Sequence, residues 1–412
     1  MNCARVLLPF VFLVSGCSTV PPDVPLADQH QPSGLNSRFR YEGLIFENYV
    51  KQSRAMIAEA RTDPKGPGRE QIVDGNSPFE LKPPASCPQG EKKPYKRGIL
   101  LTHGLTDSPY LMRYLGTFFQ ENCFRVMAIL LPGHGTRPGD LLEVTWQEWA
   151  KAEAYGTNAL ALEADQVYLA GFSTGGALSI YQSLQDERVR GIFLFSPAVG
   201  ITPLAFVATY HNIYSWAAPY GKWLDVMKDE DPFKYESFPK NAVDQIDLLI
   251  KAVAARLNGK EVKIPVFVAA SNDDSTVHVS ATLDFFKWAT NPFNRMILYT
   301  SKPAVFPAGI NTSQIETVNS VFPDQNILSS AHTAIVLPPG DAHYGKNGDY
   351  VSCAHYYPKE MKEYDTCKNK KANYFGELTD DNLKKGIVQR LMYNPNFDLL
   401  KTSMKDFVKE IP

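Results

Sequence analysis

Short hydrophobic runs, each stopped by glycine, proline or small polar residues, recur along the chain from Arg97 onward. They read "GILLTHG", "RVMAILLPGHG", "QVYLAGFSTGG", "VRGIFLFSPA", "IPVFVAASNDD" and "NRMILYTS". Because the runs are apolar at successive rather than alternate positions, they predict strands buried on both faces of a parallel sheet. Segments of helical length separate them, and "YLMRYLGTFFQENC" and "TGGALSIYQSLQDE" repeat apolar positions at helical spacing. The alternation predicts an α/β fold: a mostly parallel central sheet flanked by helices.

The pattern also divides the chain. Residues 17–94 are rich in Pro, Gly and polar residues, interrupted by one predicted helix, "LIFENYVKQSRAMIAEARTD"; they read as a tether and N-terminal extension. Residues 95–197 form the first part of the sheet domain and 261–345 the second. Between them, 198–260 lack a clear strand and begin with Phe206, Tyr210, Tyr214, Trp216, Tyr220 and Trp223. This insertion predicts a helical cap above the sheet. Most of its aromatic residues are expected to glue the cap down, although a cap over an active site needs an apolar underside if its substrate carries an acyl chain. Residues 346–412 open with a polar, cysteine-bearing stretch and end in two predicted helices.

The first residues change the setting. "MNCARVLLPFVFLVSGC" carries Arg5, then an apolar run from Val6 to Val14 that is too short for a finished transmembrane helix but suits a secretory signal over residues 1–16. "VSGC" resembles a bacterial lipobox, which implies lipidation of Cys17. Ser18 after it favours the outer membrane over inner-membrane retention. The alternative is an ordinary signal peptide with Cys17 incidental. The expectation is a cell-envelope lipoprotein whose body is tethered through an N-terminal lipid.

Apart from Cys3 and Cys17, four cysteines remain, an even number that suggests two disulfides in an oxidising compartment. Proximity along the chain favours Cys87–Cys123 and Cys353–Cys367, although three pairings are possible. No pair has the close spacing of a structural zinc site. Of the 412 residues, 44% are hydrophobic and 21% charged, with a formal net charge of -2 and no long basic run. The electrostatic footprint of a nucleic-acid binder is therefore missing. Fixed-period repeats and low-complexity tracts are missing too, and with them the case for a solenoid or disordered scaffold.

The candidate chemistry centres on "GFSTGG". A serine hydroxyl becomes a useful nucleophile when a base takes its proton and donors stabilise the oxyanion. Gly-x-Ser-x-Gly meets the steric side of that need, because a sharp strand-to-helix turn lifts the serine to the head of the helix. Gly171 and Gly175 flank Ser173, with Gly176 as extra clearance. The bare pattern arises by chance in roughly one chain in eight of this length, so its setting between a buried strand and a helix start matters more than the motif. "LLTHGLTDSP" follows an earlier strand, where such folds place one oxyanion donor; the N–H groups of Leu105 and Thr174 are assigned that role. His103 is a rival base but more often braces this loop. In "VFVAASNDDSTV" the acid is Asp274, with Asp273 in reserve, since an Asp after a strand is commonly a turn residue. The base is His332 in "NILSSAHTAIVLPP", after the acid in chain order, with His343 in "GDAHYG" as competitor. The long stretch from Asp274 to His332 calls for an extra hairpin or loop, within "AVFPAGINTSQIETVNSVFPDQ".

With "HGLTDSP", "LPGHG", "GFSTGG", "DDSTV" and "SAH" in this order, residues 96–345 resemble the α/β-hydrolase superfamily, in its carboxylesterase and monoacylglycerol-lipase-like branch. The resemblance implies Ser173 as nucleophile, Asp274 as orienting acid and His332 as base, with His134 structural. It implies acyl transfer on an ester or lipid-derived substrate, with no metal or organic cofactor. Thioesterase and peptidase chemistry are alternatives on the same fold, and a non-catalytic ligand-binding envelope protein is the alternative from another class. The N-terminal extension, the long acid-to-base gap and the cysteine-bearing segment depart from the compact family pattern. Oligomeric state is not legible.

Overall fold

A computed structural model describes residues 25–63, 68–200 and 219–411. The signal segment, Cys17 and the aromatic residues Phe206, Tyr210, Tyr214 and Trp216 lie outside the described residues.

The N-terminal extension holds helices α1 (Phe46–Ala60) and α2 (Arg69–Asn76) and strand β1 (Phe79–Leu81). Then follow β2 (Tyr95–Thr102), α3 (Arg113–Glu121), β3 (Phe124–Ile129), α4 (Trp146–Glu163), β4 (Ala164–Phe172), α5 (Thr174–Ser183) and β5 (Val189–Phe195). The insertion contributes β6 (Trp223–Asp225), β7 (Phe238–Pro239) and a helix over Lys240–Leu257. The chain returns to the sheet through β8 (Val266–Ser271), β9 (Arg295–Thr300) and β10 (Ile315–Asn319), with a helix at Val279–Lys287. A small parallel pair, β11 (Tyr374–Gly376) and β12 (Val388–Arg390), precedes the final helix Phe397–Glu410.

The main sheet runs β1-β3-β2-β4-β5-β8-β9-β10, parallel throughout except for β1, which pairs antiparallel with β3. The six strands read from the hydrophobic runs all form. Their continuous apolarity has a direct cause, because alternate side chains feed two separate cores. Leu100, Leu169, Leu194 and Val268 face the side covered by α4, α5 and the Lys240–Leu257 helix. Leu101, Ala170, Phe193 and Phe267 face the side covered by α3 and the C-terminal helix. Burying a leucine-sized side chain on either face contributes about 2 kcal/mol. Helix α4 starts where it does because Thr145 and Glu148 form a reciprocal cap: Glu148 N–H donates to Thr145 Oγ1, and Thr145 N–H donates to the Glu148 carboxylate at 2.8 Å.

Three expectations need correction. The stretch between Asp274 and His332 contains β10, parallel to β9, where a hairpin or loop was expected. Its alternation is weak because only Val318 in it is buried, as befits an edge strand. The insertion, read as lacking a clear strand, holds the short antiparallel ribbon of β6 and β7 ahead of its helix. The cysteine-bearing stretch itself holds a short helix, Met361–Lys368, ahead of the two expected after it, which form at Asp380–Leu383 and Phe397–Glu410. Both favoured disulfides form, Cys87–Cys123 with Cα atoms 5.4 Å apart and Cys353–Cys367 with 6.0 Å. Among the described residues no helix is long and apolar enough to cross a membrane.

Candidate active site

Ser173 sits between β4 and α5 with φ 52° and ψ -112°. The three glycines make this turn possible. A Cβ on Gly171 would overlap the Gly175 backbone, one on Gly175 would overlap the Thr102 carbonyl, and one on Gly176 would lie 2.8 Å from the Pro197 side chain. The turn is anchored by hydrogen bonds on both sides. Ser173 N–H donates to the Phe195 carbonyl at 2.9 Å, and the Ser173 carbonyl accepts from Ala198 at 2.9 Å and Ala177 at 3.2 Å. Its side chain is thereby fixed at the carboxyl end of the sheet, where open α/β sheets place their ligands.

His332 Nε2 lies 3.0 Å from Ser173 Oγ, and its Nδ1 lies 2.7 Å from Asp274 Oδ2. Asp274 Oδ1 accepts N–H bonds from Thr276 and Val277, both at 2.8 Å, which fixes the carboxylate plane. The neighbouring Asp273 is used differently, accepting from Ser301 N–H and Oγ–H at 2.9 and 2.6 Å. Far apart in sequence, the Asp274 and His332 loops meet because Ser271 Oγ, at the end of β8, donates to the Ser330 carbonyl at 3.0 Å. The Phe172 ring packs against the imidazole, with ring centroids 5.3 Å apart.

The rival histidines have other places. His103 Nδ1 donates to the Gly104 carbonyl at 2.8 Å, and its Nε2 accepts from Leu131 N–H at 3.1 Å. Burial, then the neighbouring His134, pushes His103 well below the usual imidazole range, so it stays neutral and braces the loop. His134 is held down to about 4 by burial, with Nδ1 3.1 Å from the Pro132 carbonyl. His343 is bound to Asp349 and, at 3.3 Å, to Asp231. Burial lowers its affinity for a proton, but the two carboxylates outweigh burial and raise it.

Ser173, Thr174, Leu105 and His332 line a cavity of about 560 Å³. Leu224, Met227, Phe238, Val243, Ile246 and Val277 supply an apolar wall, and Asp107, Lys234, Glu236, His355, Lys359 and Arg390 a polar one. Tyr220 and Trp223 are tied to the extension instead: Leu26 N–H donates to Tyr220 Oη at 3.2 Å, and Trp223 packs edge-on to the His30 ring.

Sequence reasoning missed several residues around this site. The insertion holds the Leu105 loop through Tyr235 N–H, which donates to the Thr106 carbonyl at 2.8 Å. Lys234 Nζ donates to Thr106 Oγ1 at 2.9 Å and pairs with Asp107. Burial outweighs Lys234 and raises the Asp107 carboxyl. Glu377 and Arg390, behind His332, belong to the segment that departs from the compact pattern. The aspartate in "HGLTDSP" was the only local signal for any of these contacts, since the partners are brought up by tertiary folding alone.

Among the described residues no group of three His, Cys, Asp or Glu side chains is arranged to hold a metal ion. The chemistry available is that of a serine hydroxyl bonded to an imidazole, which is itself bonded to an oriented carboxylate.

A family model described as "Alpha/beta hydrolase family" matches residues 99–313, more than half of the chain. The thermostable monoacylglycerol lipase of Bacillus sp. (strain H-257) is 26% identical over 186 residues, 44% of this chain and 71% of the relative. The carboxylesterase of Bacillus subtilis (strain 168) is 24% identical over 189 residues, 45% and 75% of the two chains. A solved structure of the metagenome-derived lipolytic enzymes LipS and LipT aligns at 22% identity with a TM-score of 0.46, over 54% of this chain and 87% of that one. With its sheet order and the family match over most of the sheet, the chain belongs to the alpha/beta hydrolase family.

Proposed function

We propose that the protein hydrolyses carboxylic esters through an acyl-enzyme formed on Ser173. The single observation that carries this reading is the hydrogen-bonded line from Asp274 through His332 to Ser173 at the wall of the cavity. His332 Nε2 takes the Ser173 proton as Oγ bonds to the ester carbonyl carbon, and the carbonyl oxygen becomes an oxyanion held by the N–H groups of Leu105 and Thr174. The oxyanion collapses, the bond to the alkoxy oxygen breaks, and His332 delivers its proton to the departing alcohol. Water then gives a proton to His332, attacks the acyl carbon and releases Ser173 together with the acid. Asp274 holds the imidazole tautomer and stabilises its charged form. The apolar wall supports an apolar acyl group or lipid-derived ester as substrate, and the names of the two Bacillus relatives favour the same class. The lipobox-like "VSGC" supports a lipid anchor on Cys17 and a bacterial envelope location, with the outer membrane favoured by Ser18.

The test is labelling by a fluorophosphonate probe of the protein from residue 18 onward, beside Ser173→Ala and His332→Ala. Labelling that disappears in both variants, together with turnover of p-nitrophenyl esters, is the expected result. A folded wild type that neither labels nor turns over would reject the reading in favour of a binding protein.

A further inference from the structure

We propose that Glu377 and Arg390 are positioning residues that lock the acid and base loops together, an inference that rests on the serine-hydrolase reading above. His332 stands on a short 3-10 turn, His332–Ala334, at the end of a long irregular stretch. No regular element holds that turn from within. Its ties are tertiary: Thr333 Oγ1 donates to the Leu391 carbonyl at 2.9 Å, and the Glu377 carboxylate, whose side chain is 0% exposed, accepts the His332 backbone N–H on Oε2 at 2.8 Å. Oε1 accepts from Leu378 N–H at 2.8 Å. Arg390, the last residue of β12, closes on the same carboxylate with Nη2 3.0 Å from Oε1 and 3.2 Å from Oε2.

Arg390 also reaches the other loop. The same nitrogen donates to Thr276 Oγ1 at 2.6 Å, and Thr276 N–H is one of the two donors that orient Asp274 Oδ1. One guanidinium therefore touches the acid loop directly and the base loop through Glu377. The clamp has its own support. β11 is bonded to the chain that leads into His332, since Phe375 N–H donates to the Asn326 carbonyl and Leu328 N–H to the Phe375 carbonyl. Arg390 N–H donates to the Ser352 carbonyl, beside the Cys353–Cys367 disulfide.

Burying an ion pair is a poor way to gain stability, because desolvation offsets much of the attraction. Burial raises the Glu377 carboxyl, but Arg390 and the two N–H donors more than offset it and keep the group ionised. A charged, fully bonded carboxylate at this point makes sense as an orienting device, for a displacement of about 1 Å in a catalytic group costs on the order of a hundredfold in rate. Both residues lie beyond residues 99–313, the part that matches the family model. The departing C-terminal segment thus supplies support for the site.

The experiment compares kcat and KM on a p-nitrophenyl ester, and melting temperature, for wild type, Glu377→Ala, Glu377→Gln, Arg390→Met and Arg390→Lys. Glu377→Ala should lower kcat by about 10- to 100-fold with KM within about threefold, because Glu377 does not line the cavity. Glu377→Gln keeps an acceptor for the His332 N–H and should fall between Ala and wild type. Arg390→Lys should recover part of the rate that Arg390→Met loses. Wild-type kcat in folded Glu377→Ala or Arg390→Met would overturn the proposal. So would losses that follow only the folded fraction, with Gln no better than Ala and Lys no better than Met. If Glu377→Ala does not fold, the Gln and Lys variants decide. A folded wild type that does not react with the fluorophosphonate rejects the parent reading instead, so the two failures are distinguishable.

Discussion

At Ser173 the backbone occupies a region that non-glycine residues enter only when their surroundings impose it, at a cost of about 1–3 kcal/mol. Gly171, Gly175 and Gly176 impose it here by removing every Cβ that would keep strand and helix apart, which is why this residue was legible from a six-letter motif. Asp273 and Asp274 show where such legibility stops. Both follow the same strand, and only the positions of Ser301 and His332 assign one to a turn and the other to an imidazole. Glu153 was not legible at all, because on helix α4 it reads like any surface glutamate. It lies instead beneath the elbow, accepting hydrogen bonds from Thr102 and Ser179, and burial raises its carboxyl from the ordinary 4.5 to about 7. Between those pH values the unfolded chain has released a proton that the folded chain still holds. Stability from this group is therefore complete below pH 4.5 and falls as pH rises through 7, by roughly 3 kcal/mol at most. Glu153→Gln should flatten that loss. Urea unfolding at pH 5 and pH 8 checks it, and parallel pH dependence in both proteins would count against a protonated Glu153.

Among elements, the strands that could be read were those buried on both faces, for continuous apolarity leaves no other comfortable place in water. β1 and β10 escaped because they are edge strands with mixed sequences, and β6 and β7 because a ribbon that short carries little pattern. The Cys353–Cys367 pairing was favoured by proximity, but its role depends on what it closes. The disulfide spans 14 residues, and Ser352, Ala354, His355, Tyr357 and Lys359 around its first cysteine line the cavity. A closed loop of this size contributes about 3 kcal/mol by restricting the unfolded chain. The double variant Cys353→Ser/Cys367→Ser should lower the urea midpoint by a corresponding amount and lower kcat as well, since Arg390 is bonded to Ser352. A variant with unchanged midpoint and unchanged kcat would show that the loop is held by its packing alone.

On the scale of the whole molecule, the extension packs against the insertion: Leu26 is bonded to Tyr220 and His30 to Ser237. The proposed lipid on Cys17 would stand eight residues before Pro25, a reach of at most about 28 Å. The proposed anchor would therefore hold the insertion side of the molecule near the bilayer, close to a lipid-derived substrate. Blocking lipoprotein maturation with a globomycin-type inhibitor should leave an uncleaved precursor in cells, visible as a larger band. Normal processing under the block would remove Cys17 as the anchor.

The sequence by itself determined the α/β architecture, the elbow at Ser173, the order serine, acid, histidine and the pairs of cysteines that lie close along the chain. These follow from local causes: side-chain periodicity, glycine sterics and short separations. Only the tertiary structure decided that His332 rather than His343 reaches Ser173, that Glu153 lies buried beneath the elbow, and that Glu377 and Arg390 stand behind His332. Each of those depends on contacts between segments far apart in the chain, and such contacts leave no periodic trace, because a single side chain suffices at either end.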